Sequence, residues 1–186
     1  AASDVYKRQV KEAAAAEKNI VISPSGIAAA KYLKQKFGTP YEVFCPPEII
    51  PEWKERKEQL EHSEQIEQNT AMPNRKERSD KKVLIVHQQV LANTLREELL
   101  TLAMEQKIET DFAKITVASW FMLDDALKKE GDILFKEEDD WISYIKENEY
   151  DIIIADPLLK KAVPFYKGEW YDLPHFAISG KKRQTV

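Results

Sequence analysis

The sequence predicts an α/β fold, and three observations carry that expectation. Short apolar runs recur along the chain, among them Ile20-Val21-Ile22, Val83–Val86 and Ile152–Ala155. Stretches of helical periodicity separate them, as where Leu91, Leu95, Leu99 and Leu102 fall on one stripe. Ile152–Ala155 is apolar at every position, which suits a central parallel strand covered on both faces. Strands alternating with helices imply right-handed β-α-β crossovers, hence a Rossmann-like, doubly wound and mostly parallel sheet. The 186 residues are read as one complete domain of this kind plus part of a preceding one.

Residues 1–9 show no strand or complete helical pattern and are expected to be a junction or non-native stretch. They lead into the middle of a helix-like run, Val10–Lys18. Residues 10–73 read as a partial Rossmann-like domain with a connecting helix. In it, the strand Ile20–Ile22 ends at Ser23-Pro24-Ser25-Gly26, where serine at a helix cap and proline in the first turn mark a helix start. That helix covers Ala28–Phe37 and stops at Gly38. A further strand, Tyr41–Phe44, is closed by Pro46-Pro47. The charged stretch Ile50–Gln68, apolar only at Trp53, Leu60 and Ile66, predicts a helix lying on a surface. Pro73–Lys82, with five basic residues, is the expected linker.

Residues 74–186 read as a carboxyl-terminal Rossmann-like domain able to stand alone. Its strands are predicted at Val83–Val86, Thr116–Phe121, Ile133–Phe135, Ile152–Ala155 and Trp170–Leu173. Short helices are expected at Asp124–Lys129 and after Asp156-Pro157. A longer one is expected over Glu137–Asn148, with Trp141, Ile142 and Ile145 on its inner face.

Composition narrows the function. Lysine and arginine total 28 against 32 for aspartate and glutamate, a formal charge of -4, which does not suggest a nucleic-acid groove or a basic membrane surface. No apolar stretch is long enough to span a bilayer, and no secretory leader is recognisable, so a cytoplasmic location is expected. The single cysteine, Cys45, excludes an internal disulfide and any cluster held by several cysteines of this chain. Neither G-x-G-x-x-G nor a Walker A loop occurs, which argues against dinucleotide binding and nucleotide hydrolysis by those devices.

The candidate binding residues sit where strands end. Ser23, Ser25 and Gly26 lie where a strand's carboxyl end meets a helix start, the usual ligand position in open α/β sheets. The competing reading is helix capping. His87 follows Val83–Val86 on the same rim, and His175 follows the last strand; both also suit packing or hydrogen bonding. Cys45 reads as a small apolar filler, His62 as an exposed helix residue. Glu137-Glu138-Asp139-Asp140 reads as a complement to a helix dipole. No residue is assigned a catalytic role, and none is assigned as a metal ligand.

Two stretches resemble nitrogenase component 1 proteins. One is Asn19–Gly26 with Ala28–Leu33 and Phe37-Gly38-Thr39-Pro40-Tyr41. The other combines Lys82–Val86 and Gln89–Asn93 with Tyr150–Pro157 and Leu173–Gly180, and looks like the last domain of that group, particularly its relatives in anaerobes. The resemblance implies the carboxyl-terminal part of an oxidoreductase component, with an iron–sulfur cluster or metallocluster held by the full-length protein and none by this piece. It implies two partners: a second nitrogenase-like subunit in a homo- or hetero-oligomer, and an ATP-dependent iron protein as electron donor. A non-catalytic scaffold or assembly module of the same fold is the alternative. The chain departs from the family at three places. Ser23 stands at the turn of the family's cysteine ligand, His87-Gln88-Gln89-Val90 replaces a glycine- and arginine-rich loop, and Lys181-Lys182-Arg183 occupies the region of its histidine ligand. A hydroxyl ligates soft metals poorly compared with a thiolate, so dinitrogen reduction is not expected.

Overall fold

The computed structural model describes residues 11–46, 79–105 and 110–175. The expected connecting helix Ile50–Gln68, with His62, lies outside them, as do Arg75, Lys76, Arg78 and everything after His175.

The first unit is a small β-α-β. Strand β1 (Asn19–Val21) leads through a 3-10 turn at Pro24–Gly26 into helix α1 (Ile27–Phe37). Gly38 ends α1 in the left-handed region at φ 77°, where a β-carbon would be strained, and its amide donates to the Lys34 carbonyl. Strand β2 (Tyr41–Val43) then returns parallel to β1, pairing Val21 with Val43. In the described part of the helix-like run Val10–Lys18, Lys11 and Glu12 are α-helical and a 3-10 turn follows at Ala13–Ala15.

The second unit is a five-stranded, wholly parallel sheet. Its strands are β3 (Ser79–Val86), β4 (Thr110–Ser119), β5 (Ile133–Leu134), β6 (Ile152–Ala155) and β7 (Glu169–Asp172). They lie in the order β5-β4-β3-β6-β7, so the chain steps outward from β3 in one direction and then in the other. Helices α2 (Gln89–Met104), α3 (Glu138–Glu147) and α4 (Pro157–Ala162) provide the crossovers. The architecture is therefore α/β, a parallel sheet flanked by helices in a Rossmann-like order.

Alternation along the strands sorts the core into two layers. Val83 and Ile85 of β3, with Ile152 and Ile154 of β6, meet Val90, Leu91, Ala92 and Leu95 of α2. Leu84, Val86, Ile153 and Ala155 face the other way, against Phe135, Trp141 and Ile145. The apolar stretches of β3 and β6 are thus buried on both faces, which is why Ile152–Ala155 has no polar position. The first unit joins the α2 layer: Cys45 is part of that core and Val43 packs against it.

Three expected elements form differently. Asp124–Lys129 is a turn rather than a helix, because the Asp124 carboxylate accepts from the Ala126 amide while Gln89 holds the Asp124 backbone at both its amide and its carbonyl. The linker expected to reach Lys82 has become strand by Ser79: Lys81 pairs with Glu169 across the sheet, and the Lys82 amide donates to Asp151. Strand β4 begins at Thr110, well before the apolar stretch that announced it, because its polar start lies in register with the equally polar start of β3. Among the described residues no helix is long and apolar enough to cross a membrane.

Candidate functional site at the carboxyl rim of the sheet

The strand order reverses between β3 and β6, so the crossovers leaving them diverge at their carboxyl ends, the position where open parallel sheets place their ligand crevice. Three polar side chains meet there. His87 follows β3 and is 1 % exposed; Asp156 follows β6 and is fully buried; His175, beyond β7, is 6 % exposed. The His87 and His175 rings lie 4.5 Å apart between centroids, tilted by 39°. Phe121, just past β4, also meets the His175 ring, at 5.3 Å between centroids.

Asp156 organises this rim. One carboxylate oxygen accepts from the Leu158 amide at 2.8 Å and caps α4; the other accepts from the His175 amide, also at 2.8 Å. His87 is placed by its own amide, which donates to Ala118 and so extends the β3–β4 ladder. Its Nε2 lies 3.4 Å from the Pro174 carbonyl oxygen, which would accept from the Nε2–H tautomer. Burial, reinforced by the neighbouring His175, pushes the His87 pKa down to about 4, although Pro174 and Asp156 oppose the shift. Burial also lowers His175, against the pull of Asp156. Both rings are therefore neutral at pH 7, able to donate and accept one hydrogen bond each.

The turn after β1 reaches the same region through one residue. Gln88 caps α2 by accepting from the Val90 amide at 2.8 Å, while its amide nitrogen donates to the Ile22 carbonyl at 2.5 Å. That bond draws the end of β1 toward the amino end of α2. Ser23 makes no capping bond; its hydroxyl lies 3.1 Å from that of Ser25, Ser23 being half-buried and Ser25 exposed, and Gly26 occupies the helix cap position. The capping expected of Ser23 is absent because the intervening 3-10 turn moves the start of α1 on to Ile27. A side chain at Gly26 would press on Val21, whose methyl carbon would lie 3.2 Å from the added β-carbon, so that glycine serves strand–helix packing.

Cys45 lies at 1 % exposure within the α2 core, and burial pushes its thiol pKa up. The residue is a neutral filler. The acidic run at Glu137 forms a capping box, in which Glu137 and Asp140 exchange side-chain bonds with each other's backbone amides. Among the described residues no group of three or more histidine, cysteine, aspartate or glutamate side chains is arranged to hold a metal.

No protein-family model matches the chain, and no curated protein matches it.

Asp156, Phe121 and Gln88 belong to the rim although sequence reasoning assigned them no part in it. Asp156 carried a usable signal: an acidic residue directly after a wholly apolar strand stands on the ligand-facing edge of a parallel sheet, whatever helix it also caps.

Proposed function

We propose that the chain is the carboxyl-terminal part of an oxidoreductase component resembling nitrogenase component 1, and that it forms one wall of a cavity in which a substrate or metallocluster is held between domains. Electrons would arrive from an ATP-dependent iron protein, and a second nitrogenase-like subunit would complete the assembly. The observation that supports this reading is the cluster of His87, Asp156 and His175 at the point where the strand order reverses. Neutral imidazoles can hold a polar or reducible group there without adding charge, and Ser23 and Ser25 offer hydroxyls on the neighbouring turn. No step of the reduction is assigned to any of these side chains.

The test is anaerobic mixing of the complete subunit with the reduced iron protein. MgATP-dependent oxidation of the iron protein's cluster, read by its visible absorbance, is the expected result. An iron protein that stays reduced and shows no MgATP-dependent association removes the electron-transfer role.

One observation favours a second reading, a non-catalytic scaffold or assembly module of the same fold. The sole cysteine is buried and held protonated, so this chain offers no thiolate to a cluster. Iron content after anaerobic reconstitution of the complete subunit separates the two: a scaffold stays free of iron and silent toward the iron protein.

A further inference from the structure

The residues after β7 turn back over the sheet. The Leu173 amide donates to Ala155 at 2.8 Å, continuing the ladder with β6 by one bond. Pro174 follows with no amide hydrogen to offer, and the His175 amide then turns onto the Asp156 carboxylate at the end of β6. The His175 ring goes further still, meeting His87 at the end of β3 and Phe121 beyond β4. Three residues therefore run from the edge strand β7 across the ends of β6, β3 and β4. They lie over the crevice where the strand order reverses.

We propose that Leu173–His175 is an acid-released strap: with both imidazoles neutral it closes the rim, and protonation of the histidine pair frees it and uncovers the crevice. The proposal rests on the reading of that crevice as the ligand site. Its physical basis is the mismatch between closed and open surroundings. In the closed form the two rings are buried against each other, and a proton on either would be poorly hydrated and would repel the other once that is charged too. In the open form each ring meets water and recovers an ordinary histidine affinity for protons. Each unit of pH below that ordinary value then favours the open form by up to tenfold for each ring, until the closed form also protonates.

The charged groups around the pair are few among the described residues. Asp156, from β6, faces both rings and opposes the effect in each, but backbone amides already engage both of its oxygens. From α2 come the neutral Gln88 and Gln89 and the positive end of the helix, which disfavours a further cation. The end of β4 supplies Ser119, Trp120 and Phe121, none charged; Asp172, at the end of β7, is exposed. The strap is anchored by the buried Leu173 side chain, by the Leu173 and His175 amides, by the contact of His87 Nε2 with the Pro174 carbonyl and by the ring contacts, so the neutral rings are part of what holds it.

Native-state hydrogen exchange on the intact chain, corrected for the chemical rate at each pH, tests the strap directly. Between pH 7.5 and pH 5 the protection of the His175 amide should fall at least tenfold while that of β3 and β6 holds. In His87→Gln, which has one titrating ring fewer, the fall should shrink severalfold; His175→Gln should shrink it likewise, and His87→Gln alone suffices if that variant does not fold. Protection that stays constant with pH overturns the proposal, as does protection lost in parallel across strap and sheet, or a full response in His87→Gln. No iron protein is present in this measurement, so a failure of the electron-transfer reading leaves its result intact, and the converse holds.

Discussion

Asp132 is almost fully buried, yet four donors converge on its carboxylate: Arg96 Nη1 at 2.7 Å, Arg96 Nη2 at 3.1 Å, and the backbone amides of Val117 and Lys129 at 3.0 and 2.8 Å. Removing one member of such a pair strands the other charge in the core, which costs about 3–5 kcal/mol. Asp132→Ala should lose that much stability in urea unfolding. The double variant Arg96→Met with Asp132→Leu should recover only part of the loss, because two backbone amides still lack an acceptor at about 1–3 kcal/mol each; full recovery would mean that those bonds contribute nothing. His87 makes the opposite kind of contribution, a buried group kept uncharged. Its folded value of about 4 lies below the ordinary histidine value, so the unfolded chain takes up the proton first as pH falls. The stability that goes with the neutral ring is complete above pH 6.5, the ordinary value, and declines as the pH drops toward 4. The loss should reach at most about 3 kcal/mol, since strap release caps it. Urea midpoints measured across that range in the native chain and in His87→Gln check this, and equal slopes in the two would exclude His87 as the source.

At the level of elements, Gln88 connects what the chain builds separately. Its side chain satisfies one orphan amide at the start of α2 and also holds the Ile22 carbonyl of the first unit. Gln88→Ala should therefore cost about 1–2 kcal/mol, somewhat more than a cap alone, because a cap and a neutral hydrogen bond are lost together. The Ile22–Gly26 region should become the most affected by exchange measurements; a loss confined to α2 would show that the bond to Ile22 carries no weight. Nothing in the sequence announces such a residue, since glutamine is neither a favoured cap nor an obvious tether. The strands, in contrast, were legible wherever both faces are buried: Val83–Val86 and Ile152–Ala155 show it in their lack of polar positions. The polar start of β4 at Thr110 was not, because backbone pairing with β3 rather than apolar burial makes it a strand. Asp124–Lys129 failed as a helix for a similar reason, since a contact with Gln89, far away in sequence, outweighs a local helical tendency too short to nucleate. His87 and His175 could each be placed on a rim from the strand each follows, but their meeting depends on the strand order, which no local pattern encodes.

Across the whole molecule the two units share apolar surface. Cys45 lies in one core with Val83, Ile85, Val90, Leu91 and Leu95, and Val43 packs against the same cluster. The Cys45 amide also lies 3.4 Å from the Thr94 hydroxyl on α2. Without the first unit, Val90 of α2 and Leu127 of the turn after β4 would face water along a groove of about 600 Å³ that Val43 and Phe44 help to line. The sequence suggests that residues 74–186 stand alone, because their strands and helices form a complete alternating set. The packing leads to a different expectation for a chain cut at Asn74. Losing Cys45 and Val43 uncovers part of the α2 core, and even a few tens of Å² of apolar surface per side chain, at roughly 25 cal/mol per Å², adds up to about 1–3 kcal/mol. The 74–186 piece should therefore fold, since its sheet and the α3 layer keep their contacts, but it should melt several degrees lower than the full chain and bind a hydrophobic dye that the full chain does not. Thermal melting and dye fluorescence of both chains decide this. A truncated chain as stable as the full one would mean that the contact through Cys45 and Val43 adds nothing to the core.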